Sequence, residues 1–287
     1  DAIEGWRGVV EAVHAGGGRV APQLWHVGGV TDERAPEWAP ERRDSPSGRT
    51  MEGLDIGPPM SDEDIADTIA AFARSAQAAE GIGCDAVELH GGHGYLLDQF
   101  FWHETNRRTD RWGGATIRER ALFAAEIVRA CRAATRPDFP ILVRLSQWKI
   151  GAYEALVVQD PVELSAWVEP LADAGVDMFH CSQRRFWDAE FAGSDLNLAG
   201  WVKKLTGKPT ITVGSVGLDH DFFEPVDGAQ GRAGSLAGLL ERLERGEFDL
   251  VAVGRASLGD PAWAQKVHDQ RFDEIRPFGP GALARLE

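Results

Sequence analysis

The sequence predicts an α/β protein of the (β/α)8 TIM-barrel class, folded as a single domain over residues 1–287 that lacks the first two β-strands of the barrel. Three observations lead to this fold. Short β-rich runs alternate with longer helical patterns, several of these runs are almost continuously apolar, and no Gly-x-Gly-x-x-Gly motif follows any of them. Continuous apolar runs are typical of parallel strands covered on both faces. The missing glycine motif disfavours an open dinucleotide-binding sheet.

The apolar runs give the number of strands. The candidates are Arg19–Trp25, Asp85–His90, Ile141–Ser146, Val176–Cys181, Thr210–Gly214 and Leu250–Gly254. A closed barrel of this class has eight strands, whereas this chain has six candidates and opens on an amphipathic helix at Asp1, without a methionine. The apolar face of that helix consists of Trp6, Val9, Val10 and Val13. We therefore expect two strand–helix units to be missing from the front, which would leave sheet edges exposed.

Helix starts carry recognisable capping residues. Ser61 stands before an acidic first turn at capping-box spacing, and Asp160 precedes a first-turn proline. Ser235 opens an amphipathic run that ends at Arg245. Two long connections, 26–60 and 182–194, follow strands and would lie on the C-terminal face, where barrel enzymes carry their active sites. Three aromatic residues of the second connection, Phe186, Trp187 and Phe191, are candidates for a pocket wall.

Composition excludes several classes of partner. The formal net charge of −15 opposes binding to nucleic acid, and no apolar stretch is long enough to span a bilayer. The cysteines, Cys84, Cys131 and Cys181, are widely spaced and form no Cys-x-x-Cys pair. They therefore predict neither a disulfide framework nor an iron–sulfur cluster, and they indicate a reducing cytoplasm. The remaining expectation is a small-molecule substrate, and the sequence is compatible with a homo-oligomer.

The densest chemical signal is the segment Val87–Leu97, in which His90, His93 and Tyr95 follow a strand and alternate with glycines. A tight turn there would bring the three side chains together. Two imidazoles can stabilise negative charge that develops on a carbonyl oxygen, and a phenol can deliver a proton. Structural hydrogen bonding by the histidines remains an alternative. A metal site at the His-x-x-His pair is another, although no third ligand is evident by spacing.

The segment His90–Gly114 strongly resembles the signature of the Old Yellow Enzyme family of FMN-dependent ene-reductases; it reads HGGHGYLLDQFFWHETNRRTDRWGG. The resemblance extends from Gly5 to Leu286 and includes four further segments in family order. These are Ala21–His26, Val143-Arg144, Val213-Gly214-Ser215 and Gly254-Arg255. The resemblance places the start of the chain after the family's second strand, so the segment by itself is expected to bind FMN poorly.

The resemblance implies an enzyme with FMN as its cofactor and NADH or NADPH as its hydride donor. The substrate would be an α,β-unsaturated carbonyl compound. On the substrate side, His90 and His93 would hold the carbonyl oxygen, Tyr95 would protonate the α-carbon, and Trp25 would line the pocket. On the cofactor side, Gln23 would hydrogen-bond the polar edge of the flavin, and Arg144 would stabilise negative charge on the reduced ring.

The resemblance also implies a phosphate site. Its candidates are Gly214, Ser215, Gly254 and Arg255, at the ends of the last two strands, where many barrels bind phosphate through backbone N–H groups.

Departures from the pattern leave other readings open. The family continues after Gly-Gly with Ser and Glu-Asn-Arg, whereas this chain has Ala115–Arg120, which would alter a helix start more than the chemistry. The iron–sulfur branch of the superfamily, which includes dienoyl-CoA reductases, carries clustered cysteines after the eighth strand. Residues 275–281 contain none. A metal-dependent barrel hydrolase and a non-catalytic flavin-binding protein are the remaining alternatives.

Overall fold

The computed structural model describes residues 2–30, 43–218 and 235–283. Two compact units are present. The first comprises Asp1–Phe179 and Leu205–Lys208, and the second comprises His180–Lys204 and Pro209–Glu287. Part of the predicted long connection 26–60 lies outside the described residues.

Helices and parallel strands alternate in the first unit. Its elements are α1 (Ala2–Ala15), β1 (Gln23–Leu24), α2 (Asp62–Gly81), β2 (Val87–His93), α3 (Leu96–Phe101), α4 (Ile117–Arg120), α5 (Leu122–Ala134), β3 (Ile141–Lys149) and α6 (Pro161–Ala174). Strand β4 (Met178–Ser182) begins in this unit and continues into the second.

The second unit continues the same alternation. Its elements are α7 (Leu198–Thr206), whose last residues belong to the first unit, β5 (Thr210–Val213), α8 (Ala237–Glu244), β6 (Leu250–Val251), α9 (Arg255–Gly259), α10 (Trp263–His268) and two short 3-10 helices, Phe272–Glu274 and Pro280–Leu283. Strands β5 and β6 are parallel. All the strands predicted from apolar runs are found at their predicted places, although β1 and β6 are shorter than predicted.

Strand register fixes which side chains share a face in the first unit. Strand β2 runs parallel to β1, with Gln23 opposite Glu88, and parallel to β3, with His90 opposite Arg144. Because side chains alternate along a strand, Glu88 and His90 lie on one face of β2 while Val87 and Leu89 lie on the other. The polar residues of the three strands therefore share a face.

The apolar face of these strands forms the core of the first unit with helices α2, α5 and α6. Val87, Leu89 and Ile141 are fully buried, and so are Phe123 of α5 and Trp167 of α6. Burying such a side chain stabilises the fold by about 1.5–3 kcal/mol. The polar face is consequently held on a rigid support.

The helix starts predicted at Ser61 and Asp160 are confirmed, whereas the N-cap of α8 is Leu236, one residue after Ser235, and it makes no side-chain capping bond. Ser61 and Asp64 form a capping box at the start of α2, and the Asp160 carboxylate accepts hydrogen bonds from two backbone N–H groups of α6. Thr116 and Glu119 form a second capping box at α4, in the segment that departs from the family pattern.

Helix α1 also forms as predicted, but most of its apolar face is not buried. Val10 is 2% exposed, whereas Trp6 is 52% and Val9 46% exposed in the part of the chain that the structure describes. None of the described helices is both long and apolar enough to cross a bilayer.

Candidate functional site

The polar face of β1, β2 and β3 presents a connected set of side chains. Gln23 Nε2 donates a hydrogen bond to Glu88 Oε1 at 2.5 Å. Burial lowers the pKa of the half-buried Arg144, and the nearby charge of Glu88 opposes this shift. An arginine stays protonated in proteins under all ordinary conditions. The face therefore carries one fixed positive charge beside an amide whose nitrogen is held by a carboxylate.

The strand that carries the histidines is longer than predicted. The sequence interpretation ended it at His90, with the glycines as the turn, but β2 continues to His93. Gly91 and Gly92 lie within the strand, where an added Cβ would approach Arg144 O to 3.0 Å and Ser146 Cβ to 2.9 Å. These glycines therefore allow close pairing with β3.

The turn lies at His93 and Gly94, after the glycines at which it was predicted. His93 has φ 63° and Gly94 has φ 88°, both in the left-handed region. The register with β3 shifts at the same point, since Gly91 pairs with Leu145 but His93 pairs with Lys149. The bulge and the left-handed turn together mark the end of β2 at His93, and Tyr95 follows directly after the turn.

The predicted cluster of two imidazoles and a phenol is present. His90 Nε2 and His93 Nδ1 are hydrogen-bond partners 3.4 Å apart, and the ring centroid of Tyr95 is 5.2 Å from that of His90. Two nitrogens at this separation can both reach one oxygen at ordinary hydrogen-bond length. Both histidines are buried, and burial raises the pKa of the half-buried Tyr95. The cluster can thus bind a carbonyl oxygen and offer a protonated phenol beside it.

Two tryptophans flank the cluster. The Trp25 ring lies 4.8 Å from Tyr95 in an edge-to-face arrangement, and it is 53% exposed. Trp148, at the end of β3, packs against His93 with ring centroids 4.4 Å apart. Trp25 was a sequence candidate, whereas Trp148 was missed. Its only signal was an aromatic residue just beyond a predicted strand.

The phosphate candidates lie in the second unit, and they differ in how closely the rest of that unit packs around them. A Cβ at Gly214 would come within 2.6 Å of Gln183 O, so packing of that unit already requires this glycine. Ser215, with φ 49°, donates its hydroxyl to Arg184 O at 3.0 Å. Among the described residues no atom lies within 4 Å of a Cβ built at Gly254.

Gly254 is also the N-cap of α9, and the Arg255 guanidinium lies 6.0 Å from the Phe278 ring centroid. Open space at Gly254, beside a cation, is compatible with a bound phosphate. The aromatic residues of 182–194 contribute chiefly to packing, because Phe186 is buried and Phe191 packs against Trp201; Trp187 is 39% exposed.

The second half of the sequence signature is structural. Asn106 Nδ2 donates to the carbonyl oxygens of Phe100 and Trp112, and Arg108 donates to those of Pro46 and Met60. These bonds tie the loop after α3 to its surroundings. They hold the scaffold of the site and take no part in its polar face.

The described residues contain no group of three or more His, Cys, Asp or Glu side chains that could hold a metal ion. The three cysteines are buried, and burial raises the pKa of Cys131 to about 12.

Comparison with known proteins gives a consistent picture. A family model described as the NADH:flavin oxidoreductase / NADH oxidase family matches residues 1–274. The NADH oxidase of Thermoanaerobacter brockii is 32% identical over 283 residues, which cover 96% of this chain but 40% of that protein. The chain thus spans less than half the length of this relative. An NADPH dehydrogenase of Halalkalibacterium halodurans is 30% identical, over 93% of this chain and 71% of that protein.

A solved structure has the same fold. Morphinone reductase in complex with tetrahydroNAD superimposes with a TM-score of 0.76 at 23% identity, over 98% of this chain and 73% of that chain. The barrel class predicted from the sequence is confirmed by this similarity.

Proposed function

Because the chain belongs to the NADH:flavin oxidoreductase / NADH oxidase family, we propose that it is an FMN-dependent oxidoreductase that uses NADH or NADPH to reduce the activated C=C bond of α,β-unsaturated carbonyl compounds. The observation that carries this proposal is the cluster of His90, His93 and Tyr95 beside the polar strand face of Gln23 and Arg144. We propose this activity for the protein as a whole.

The polar face has the chemistry that a flavin requires. Gln23 donates one amide N–H to Glu88, so its carbonyl oxygen and its second N–H would be the groups that hydrogen-bond the ring. Arg144 brings a positive charge, which favours a ring that becomes negative on reduction. When bound, FMN supplies reversible hydride chemistry. Gly214, Ser215, Gly254 and Arg255 are the proposed phosphate residues.

The histidines and the tyrosine serve the substrate. Hydrogen bonds from His90 and His93 to the carbonyl oxygen would draw electrons from the conjugated double bond, so that its β-carbon accepts hydride more readily. The Tyr95 hydroxyl would then donate a proton to the α-carbon. Trp25, exposed beside Tyr95, would form an apolar wall that excludes water from the reacting carbon atoms.

The rate of substrate reduction is expected to remain high in alkaline solution. Burial raises the pKa of Tyr95, and a general acid must be protonated to act. The rate should therefore fall only above about pH 10, the ordinary pKa of a tyrosine. Stopped-flow reoxidation of the reduced flavin by 2-cyclohexenone between pH 6 and 11 would measure this. A fall centred near neutrality, or an alkaline fall that persists in Tyr95→Phe, would contradict the assignment.

A visible spectrum of the intact protein tests the proposal as a whole. Bound flavin should absorb at about 450 nm, lose this band when NADH or NADPH is added without oxygen, and regain it with 2-cyclohexenone. Absence of the band after purification with added FMN would contradict the cofactor. A band that NADH removes but no enone restores would contradict the substrate class.

A further inference from the structure

A buried ion pair lies next to the turn that carries His93 and Tyr95. Lys149 Nζ and Asp98 Oδ1 are 2.8 Å apart, and both side chains are 0% exposed. Lys149 Nζ also donates to the carbonyl oxygens of Gln147 at 2.9 Å and Ser146 at 3.4 Å. All three ammonium protons thus have acceptors. This pair was not predicted from the sequence.

Burying these two charged groups costs free energy, because both lose their contact with water. Burial raises the pKa of Asp98 and lowers the pKa of Lys149, and each partner's charge opposes the shift. Apolar residues of similar volume generally stabilise a protein at least as well as a buried ion pair. What an apolar pair cannot supply is a carboxylate oxygen held in one direction.

That direction is towards the turn. The second oxygen of Asp98 accepts a hydrogen bond from Gly94 N at 2.6 Å, and Gln99 Nε2 donates to Gly94 O at 2.7 Å. Gly94 N belongs to the peptide group that follows His93, and Gly94 O belongs to the one that precedes Tyr95. Both peptide groups between the two site residues are therefore held by side chains of α3.

The turn needs such support. His93 adopts φ 63°, which costs free energy for any residue with a side chain. Lys149 lies on the neighbouring strand, opposite His93 in the register. Through its ion pair with Asp98, Lys149 therefore connects the α3 side chains that hold Gly94 to the sheet that carries the polar face.

We propose that Asp98 and Lys149 are positioning residues, which orient the His93 imidazole and the Tyr95 phenol by holding the Gly94 peptide groups. This inference rests on the proposed function, since it assigns a purpose to the orientation of those two rings. It predicts that removing the pair impairs reduction of the enone more than binding of the flavin.

Two variants separate positioning from stability. Lys149→Met removes the ammonium group, and the double variant Asp98→Leu/Lys149→Met replaces the pair with apolar side chains. Because an apolar pair can restore stability, the double variant should fold and bind FMN within about twofold of the unmodified affinity. It should still reoxidise with 2-cyclohexenone at least tenfold more slowly. Restored enone reduction in the double variant would overturn the proposal.

A matched control disrupts an ion pair between a half-buried lysine and a buried aspartate. Lys266 Nζ lies 2.7 Å from Asp260 Oδ2 in the second unit, with side chains 15% and 2% exposed. Lys266→Met should lower the melting temperature while the two half-reactions keep their ratio. If the Lys149 variants lose melting temperature, FMN affinity and enone rate in the same proportion as Lys266→Met, the pair is only structural.

The orientation of the Tyr95 ring can also be measured by NMR, without any catalytic turnover. The chain has only two tyrosines, Tyr95 and Tyr153, so ¹³C-labelled tyrosine should give two ring signals, assigned with Tyr153→Phe. The ring of Trp25, 4.8 Å away, should displace the Tyr95 signal. In the flavin-bound double variant this displacement should collapse, whereas in Lys266→Met it should not. An unchanged Tyr95 signal would overturn the inference even if the proposed function holds. Failure of the unmodified protein to reduce enones would overturn only the proposed function.

Discussion

Replacing Tyr95 with phenylalanine is expected to slow reoxidation of the reduced flavin by 2-cyclohexenone by about 10²–10⁴-fold, the usual contribution of a general acid. Reduction of the flavin by NADH should keep its rate, because that step needs no proton from the phenol. The substitution keeps the ring, which lies 4.8 Å from Trp25 and 5.2 Å from His90, so the packing should survive. Stopped-flow measurement of the two half-reactions separates the effects.

Tyr153→Phe is the matched control, since it removes the other phenol of the chain. Tyr153 lies outside the cluster, with its ring 6.1 Å from that of Trp148. We expect both half-reactions to stay within about twofold of the unmodified protein, because the substitution keeps the ring and removes a hydroxyl that lies outside the cluster. Equal losses in both half-reactions of Tyr95→Phe would argue that the hydroxyl has a structural role instead.

The sequence predicted the parts of the fold that depend on local patterns. Strands β2 and β3 were identifiable because Val87, Leu89 and Ile141 belong to apolar runs that are buried in the core. Helix starts were identifiable because capping bonds join residues close in sequence, as with Ser61 and Asp64. The end of β2 was missed because the close pairing of its glycines with β3 leaves no signal in the strand itself.

The same distinction applies to the candidate site. His90, His93 and Tyr95 were recognisable together because they lie within six residues of one another on one strand and its turn. The Asp98–Lys149 pair spans 51 residues, and it depends on a register shift between two strands that no local pattern encodes. Trp148 was missed because its contact with His93 also joins two strands that are far apart in the sequence. Gly214 illustrates the opposite error, since the structure gives it a packing role that the sequence interpretation did not consider.

Arg144→Met is expected to make the flavin harder to reduce. A hydrogen bond to a charged group contributes about 1.5–3 kcal/mol, and for a two-electron couple about 1.4 kcal/mol corresponds to 30 mV. Losing the guanidinium should therefore lower the reduction potential by roughly 30–65 mV, since the reduced ring would lose more stabilisation than the oxidised one. Glu88, whose charge acts on Arg144, would remain and would oppose reduction further. Spectroscopic titration against a reference dye measures the potential.

Arg120→Met is the matched control for that experiment. Arg120 is 4% exposed and donates to the carbonyl oxygens of Phe101, Gly114 and Ala115, so its charge supports a loop and does not belong to the polar strand face. This variant should lower the melting temperature and leave the potential of the bound flavin unchanged. Arg144→Lys, which retains a positive charge, should recover most of the potential. If Arg144→Met binds flavin at an unchanged potential, the guanidinium does not face the ring, and the proposed orientation of the cofactor on β1–β3 is wrong.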